Sequence, residues 1–128
     1  MTVVLDASAL LAVILGEDGD DYVSDFLADA HLSTVNLSEA ASKLLDYGLT
    51  IRQVRKHVDR MDLTIHAFDI NHAELTANLR KPTASFGLSL GDRACLSLGQ
   101  RLGLPILTAD RRMAESAAIT KLDIRQIR

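Results

Sequence analysis

Four acidic residues that lie far apart along the chain could together bind a metal ion: Asp6, Glu39, Asp92 and Asp110. Each lies at or near the start of a predicted helix, and three of them follow a short apolar strand or its exit loop. Two carboxylates held about 4 Å apart repel by about 4 kcal/mol at an effective dielectric constant of 20, so a cluster of four requires a bound counter-charge. All-oxygen ligands favour hard cations such as Mg²⁺ or Mn²⁺. The sequence therefore predicts a divalent metal site.

Alternating strands and helices are the elements that must bring these acids together. Runs rich in β-branched and apolar residues predict short strands at residues 2–5, 31–34, 63–68, 104–107 and 122–127. This order indicates an α/β fold, a three-layer sandwich whose central, mainly parallel sheet of four to five strands is flanked by helices. Loops beyond the carboxyl ends of parallel strands gather in one crevice, where acids from distant segments can meet.

Helical periodicity and capping residues predict helices at about residues 8–15, 20–29, 36–48, 50–62, 71–79, 89–102 and 110–118, with a long loop at 81–87. Ser8 is the predicted N-cap of the first of these helices. Asn36 with Glu39, and Ser89 with Asp92, have the spacing of capping boxes. Capping does not compete with metal binding, because a carboxylate in the first turn already points past the helix N-terminus into the crevice.

Size and composition fit a compact globular protein. A length of 128 residues predicts one domain, residues 1–128, and 48% apolar with 24% charged residues excludes a disordered chain. The longest nearly uncharged run, residues 7–16, is too short to cross a bilayer, and no secretory leader precedes it. We expect a cytoplasmic protein with no membrane partner.

The thiol and the imidazoles contribute no predicted site. Cys95 is the only cysteine, and the pattern around it indicates core packing, so a disulfide and a cysteine metal site are excluded. The four histidines are scattered without an H-x-x-x-H pair, and we assign them no catalytic role: His31, His57, His66 and His72.

The net charge of −3, from 17 acids and 14 bases, by itself argues against a nucleic-acid partner. Setting the four proposed ligands aside leaves 13 acids against 14 bases, so a filled metal site would have a nearly neutral surround that a phosphate backbone can approach. Four cations adjacent to the proposed ligands are candidates for RNA or phosphate contact, the alternative being ordinary solvated charge: Lys43, Arg93, Arg111 and Arg112.

Four segments, in this order and over nearly the whole chain, resemble the PIN-domain ribonucleases, in particular the VapC-like toxins of toxin–antitoxin pairs. The segments are V-L-D-A-S-A-L at 4–10, N-L-S-E-A at 36–40, S-L-G-D-R-A-C-L at 89–96 and L-T-A-D-R-R-M at 107–113. The resemblance implies that the four acids hold the metal and that the Ser8 hydroxyl supports Asp6. It also implies an RNA substrate cut to 5′-phosphate and 3′-hydroxyl ends, a small antitoxin partner covering the crevice, and a homodimer.

Thr108 ends a predicted strand just before Asp110, so its hydroxyl can support a ligand carboxylate; the alternative is an ordinary β-branched strand residue. Three other functions remain open. An aspartyl phosphatase needs a second Asp two residues after the first, where this chain has Ser8. A Mg²⁺-dependent receiver-like signalling domain needs further acids beside Asp6, which are missing. A PIN-like domain can also be retained as a non-catalytic binding module.

Overall fold

The computed structural model describes residues 2–128 and contains five short strands that form one sheet. The strands are β1 (Val3–Leu5), β2 (Ala30–Ser33), β3 (Thr64–His66), β4 (Ile106–Thr108) and β5 (Ile124–Gln126). Their spatial order is β3-β2-β1-β4-β5, and all four neighbouring pairs are parallel. The predicted α/β fold with a parallel sheet is confirmed.

Eight helices connect and cover the strands: α1 (Ala7–Leu15), α2 (Asp20–Ser24), α3 (Thr34–Asp46), α4 (Ile51–Met61), α5 (Ile70–Asn78), α6 (Leu90–Leu102), α7 (Arg111–Glu115) and α8 (Ala117–Thr120). Two short 3₁₀ turns lie at Leu27–Asp29 and Ala84–Phe86. None of the helices within residues 2–128 is long and apolar enough to cross a membrane.

The two faces of the sheet are buried by different helices. Val3 and Leu5 pack with residues of α1 to α4, whereas Val4, between them, packs with residues of α6 and α7. This alternation is the two-residue period of a strand, and burial on both faces explains why the central strands are continuously apolar. Cys95 is fully buried in the second cluster, as its apolar surroundings in the sequence predicted.

Three local predictions are wrong. The N-cap of α1 is Asp6, whose carboxylate accepts the Ala9 N–H, and Ser8 lies inside the helix. Helix α3 begins at Thr34 with Ser33 as its N-cap, so Asn36 and Glu39 do not form a capping box. The single helix expected at residues 20–29 ends at Ser24 and is followed by a 3₁₀ turn that leads into β2.

Strands β1 and β4 are neighbours although about 100 residues separate them, and the order of the sheet reverses between them. In open parallel sheets such a reversal opens a crevice at the carboxyl ends of the two strands, where ligands bind. Asp6 directly follows β1, and Thr108 is the last residue of β4. The order also differs from the 2-1-3-4-5 arrangement of receiver domains, which removes the receiver-like alternative.

Candidate metal centre

Asp6 lies at the bottom of this crevice and is only 4% exposed. Its Oδ1 accepts hydrogen bonds from Ser8 Oγ at 2.7 Å and from the Ala9 N–H at 2.9 Å. Its Oδ2 accepts one from Thr108 Oγ1 at 2.5 Å. All three donors are electrically neutral, so the hydrogen bonds orient the carboxylate without cancelling its charge.

Ser8 and Thr108 also join Asp6 to the loop after β4. The Ala109 N–H donates to Ser8 Oγ at 2.8 Å, and the Asp110 N–H donates to Thr108 Oγ1 at 2.9 Å. Each hydroxyl therefore accepts a backbone hydrogen bond and donates its own hydrogen to one oxygen of Asp6. Both hydroxyls thus contact the carboxylate that they are expected to support if Asp6 is a metal ligand.

Glu39 is half-buried on α3 and lies against the start of α6. Its Oε1 accepts a hydrogen bond from Asn36 Nδ2 at 3.0 Å, and the same nitrogen donates to the carbonyl oxygen of Gly91 at 3.0 Å. A Cβ at Gly91 would overlap the Glu39 carboxylate, so the glycine provides the space that this carboxylate occupies. Because Asp92 follows Gly91 directly, the Glu39 and Asp92 segments meet here.

Asp92 forms the predicted capping box with Ser89 at the start of α6. Asp92 Oδ2 accepts the Ser89 N–H at 3.0 Å, while Ser89 Oγ accepts the Asp92 N–H at 3.1 Å. The negative charge of Asp92 acts on two other acids, because it raises the pKa of both Asp6 and Glu39. Asp92 is therefore the electrostatic link among these three carboxylates.

Asp110 has a more local role. It is the N-cap of α7, and its Oδ1 accepts the N–H groups of Arg112 and Met113 at 2.8 and 3.2 Å. Only Oδ2 of this carboxylate is left for another partner. Asp6 and Glu39 are thus close enough to Asp92 for its charge to affect their pKa values. Asp110 lies in the loop after β4, whose backbone contacts Ser8 and Thr108.

The ionisation of the two inner acids reflects their surroundings. Burial raises the pKa of Asp6 from 3.8 to about 6, despite the opposing effect of its three hydrogen bonds. Burial also raises the pKa of Glu39, while the hydrogen bond from Asn36 and the charge of Lys43 lower it. A carboxylate is costly to ionise in such surroundings unless a cation is present.

The residues fit a divalent cation by charge and ligand chemistry. The ion pairs in the described chain involve other acids, namely Glu17, Asp59, Glu115 and Asp123. Within residues 2–128, no three His, Cys, Asp or Glu side chains are close enough together to hold an ion in their present positions. The candidate donors are carboxylate oxygens, the type of ligand that Mg²⁺ and Mn²⁺ prefer, and none of them forms an ion pair in the described chain.

The four basic residues near the acids occupy different positions. Lys43 lies one turn beyond Glu39 and lowers its pKa, and Arg112 is exposed near Gly87. Arg111 is an exposed partner of Glu115 at 3.0 Å. Arg93 does not fit the predicted phosphate contact, because it is only 9% exposed and donates through Nη1 to a carbonyl oxygen of α5.

One polar contact was not visible in the sequence. His31 on β2 and His66 on β3 approach each other, with Nδ1 and Nε2 2.8 Å apart. Burial and the nearby charge of His31 lower the pKa of His66. The pairing of the two strands creates this contact, and no spacing rule within one segment could have found it.

Comparisons with known proteins agree with the fold. The family model described as "PIN domain" matches residues 3–119. A toxin–antitoxin complex from Klebsiella pneumoniae contains a chain with TM-score 0.77 and 16% identity, covering 99% of this chain and 98% of that one. VapBC2 from Rickettsia felis, bound to a promoter DNA fragment, has a TM-score of 0.69 and 19% sequence identity, with 98% of both chains covered. FitAcB from Neisseria gonorrhoeae has a TM-score of 0.69 and 15% sequence identity, also with 98% of both chains covered. No curated protein matches the chain significantly.

A parallel sheet flanked by helices, with carboxylates near its switch point, places the chain among the α/β proteins. Within that class, the chain belongs to the PIN-domain family, whose members are nucleases.

Proposed function

We propose that this protein is a metal-dependent endoribonuclease and the toxin of a toxin–antitoxin pair. The observation that carries the proposal is the group of three acids at the β1/β4 switch point, of which Asp6 and Glu39 have raised pKa values and none has a cationic side-chain partner. Three neighbouring carboxylates, whose charge is offset only in part by Lys43 one turn from Glu39, are unfavourable for a site whose role is only structural.

In this proposal three of the acids share the task of binding the cation and the fourth assists them. Asp6, Glu39 and Asp92 hold Mg²⁺ or Mn²⁺, and Asp110 contributes its remaining oxygen directly or through water. When bound, the cation supplies the positive charge that activates water and stabilises the negative charge developing on the phosphate. Ser8 and Thr108 fix the orientation of Asp6. No nucleophilic side chain is needed, which agrees with the full burial of the only cysteine.

The proposed substrate is RNA with an accessible, single-stranded phosphodiester. Lys43, beside Glu39, and the exposed Arg112, beside Gly87, are the cations best placed to meet its phosphates. The chain has only two Tyr and three Phe and no Trp, so it offers few aromatic side chains on which bases could stack. Phosphate contacts should therefore contribute more to binding than base stacking.

The proposed partners are a small antitoxin and a second copy of the chain, in the cytoplasm. Helices α3 and α4 and strand β3 border an apolar groove of about 710 Å³. The groove includes Leu37, two residues before Glu39, and two exposed isoleucines, Ile51 and Ile65. An apolar segment of the antitoxin could bind along this groove, and a further segment that carries an Arg or Lys would have to cross α3 to pair with the acids.

Cleavage of a pool of structured RNAs, with and without Mg²⁺ or Mn²⁺, tests the proposal. The parent protein should cut only with metal, and Asp6→Asn should lose most of this activity. Asp25→Asn, at an exposed position at the end of α2, is the matched control and should cut normally. Metal-independent cleavage, or full activity of Asp6→Asn, would refute the mechanism. Antitoxin binding without any cleavage would instead support the non-catalytic binding module.

A further inference from the structure

Asn36 is a buried polar residue that the metal site, as described so far, does not use. It lies in the first turn of α3, one turn before Glu39, and is only 1% exposed. Its side-chain nitrogen donates one hydrogen to Glu39 Oε1 and the other to the carbonyl oxygen of Gly91. Asn36 therefore joins the helix that carries Glu39 to the helix that carries Asp92.

The other end of this side chain has no partner in the described part of the chain. Asn36 Oδ1 is buried and makes no hydrogen bond. A buried amide oxygen without a donor is unfavourable, and an apolar side chain at this position avoids that cost. Stability alone therefore gives little reason for an asparagine here, and the two donated hydrogen bonds must account for it.

We propose that Asn36 is a positioning residue that holds the Glu39 carboxylate where it can bind the cation. Glu39 reaches the crevice on a flexible side chain and lies over Gly91, where only the absence of a Cβ leaves room for it. The hydrogen bond from Asn36 fixes Oε1 and leaves Oε2 available, while the bond to Gly91 holds the Asp92 segment at a constant distance. This inference rests on the proposed metal-dependent function.

Loss of a partner that orients a metal ligand typically weakens metal binding 10- to 100-fold. Asn36→Leu removes both donated hydrogen bonds and the unpaired oxygen while keeping the number and branching of the side-chain heavy atoms. We expect it to raise the Kd for Mn²⁺ by about tenfold or more, whereas urea unfolding without metal should show a modest loss of stability, because Glu39 Oε1 and the Gly91 carbonyl lose a donor. With RNA, the rate should recover as Mn²⁺ is raised, because the affinity for the ion has changed.

The decisive measurement is Mn²⁺ binding without RNA, by calorimetry, at a temperature where circular dichroism shows every variant folded. In a Glu39→Gln background, Asn36→Leu should have no further effect, because Asn36 acts through Glu39. Thr76→Val is the matched control: Thr76 is equally buried and joins α5 to α6 through Ser97 Oγ at 2.8 Å, outside the crevice. It should lower stability and leave the Kd for Mn²⁺ unchanged.

The possible results separate this inference from the proposed function. Parent protein that binds Mn²⁺, with Asn36→Leu binding equally well, overturns the positioning role and leaves the metal site intact. Weakening by Asn36→Leu that persists in the Glu39→Gln background, or equal weakening by Thr76→Val, also overturns it. Parent protein that binds no Mn²⁺ overturns both. If Asn36→Leu does not fold, Asn36→Ser, whose hydroxyl is too short to reach both acceptors, is expected to weaken binding in the same way.

Discussion

Replacing Asp6 by Asn should stabilise the metal-free protein, which is the reverse of what a purely structural carboxylate would do. Burial raises the pKa of Asp6 from 3.8 to about 6. A difference of about 2 units corresponds to about 3 kcal/mol that ionised Asp6 costs the folded state at neutral pH. Asn keeps the oxygen that accepts from Ser8 and Ala9 and offers an N–H to Thr108, so most of the hydrogen bonds survive.

The sign follows from proton binding by the folded and unfolded chains. Between pH 3.8 and about 6, folded Asp6 holds its proton while the unfolded chain has lost it. The Asp6 contribution to the free energy of unfolding is therefore full below pH 3.8 and is lost as the pH rises through about 6. The advantage of Asp6→Asn should be up to about 3 kcal/mol at pH 7.5, or about 10 °C in Tm, and should vanish near pH 4.

Urea unfolding with EDTA, from pH 4 to 7.5, measures this difference for the parent, Asp6→Asn and the exposed control Asp25→Asn. With saturating Mn²⁺ the parent should gain stability and Asp6→Asn should not, because a ligand stabilises only the state that binds it. If Asp6→Asn is no more stable than the parent at pH 7.5 in EDTA, other groups of the folded protein already offset the cost of burying the ionised Asp6 carboxylate. The argument for a cation would then fail.

Three further variants test other parts of the structure. Thr108→Val should lower the free energy of unfolding by about 2 kcal/mol, because Asp6 Oδ2 and a backbone N–H lose their partner, and urea unfolding at pH 7.5 would show it. His66→Asn should reduce the loss of stability on acidification. Because the pKa of His66 is lowered in the folded state, its contribution to the free energy of unfolding is present above about pH 6.5 and lost below it. Urea unfolding of the parent and the variant at pH 5 and 7.5 measures the difference. Gly99→Ala should cost about 1–2 kcal/mol in thermal unfolding, because its Cβ would come within 2.5 Å of Ile106 side-chain atoms.

Each of these has a clear contrary result. Full stability of Thr108→Val would mean that its hydroxyl does not support Asp6. A steeper acid loss in His66→Asn would mean that the imidazole is stabilised in its charged form. Gly99→Ala as stable as the parent would mean that Ile106 can move aside at no cost.

The sequence predicted the fold and the segments of the site because these depend on local patterns. Short apolar or β-branched stretches locate the strands, and Ser89 caps α6 through a capping box with Asp92 as their spacing predicts. Parallel pairing then brings the strand ends to one edge, so Asp6 and Thr108 could be expected to meet. The tertiary contacts between them follow from that shared edge.

Predictions that depended on direction around a helix or on competing caps were less accurate. Arg93 follows Asp92 in sequence, but adjacent helical residues point in different directions, so its side chain faces α5. Ser33 and Asn36 are both residue types that often cap helices. Strand β2 ends at the buried Ser33, and α3 begins at the next residue, so Ser33 is the N-cap. Asn36 is therefore inside the helix, where its amide meets Glu39 and Gly91, a contact that requires α6 to be in place.

The surroundings of Asp6 are supplied by Thr108 and Ala109, residues made about 100 positions later. On the ribosome, β1 emerges early but remains an edge of an unfinished sheet until β4 has been synthesised. The centre therefore cannot assemble in a nascent chain before Thr108 and Ala109 have left the ribosome. A nuclease of the kind proposed above would be inactive until that point of its own synthesis.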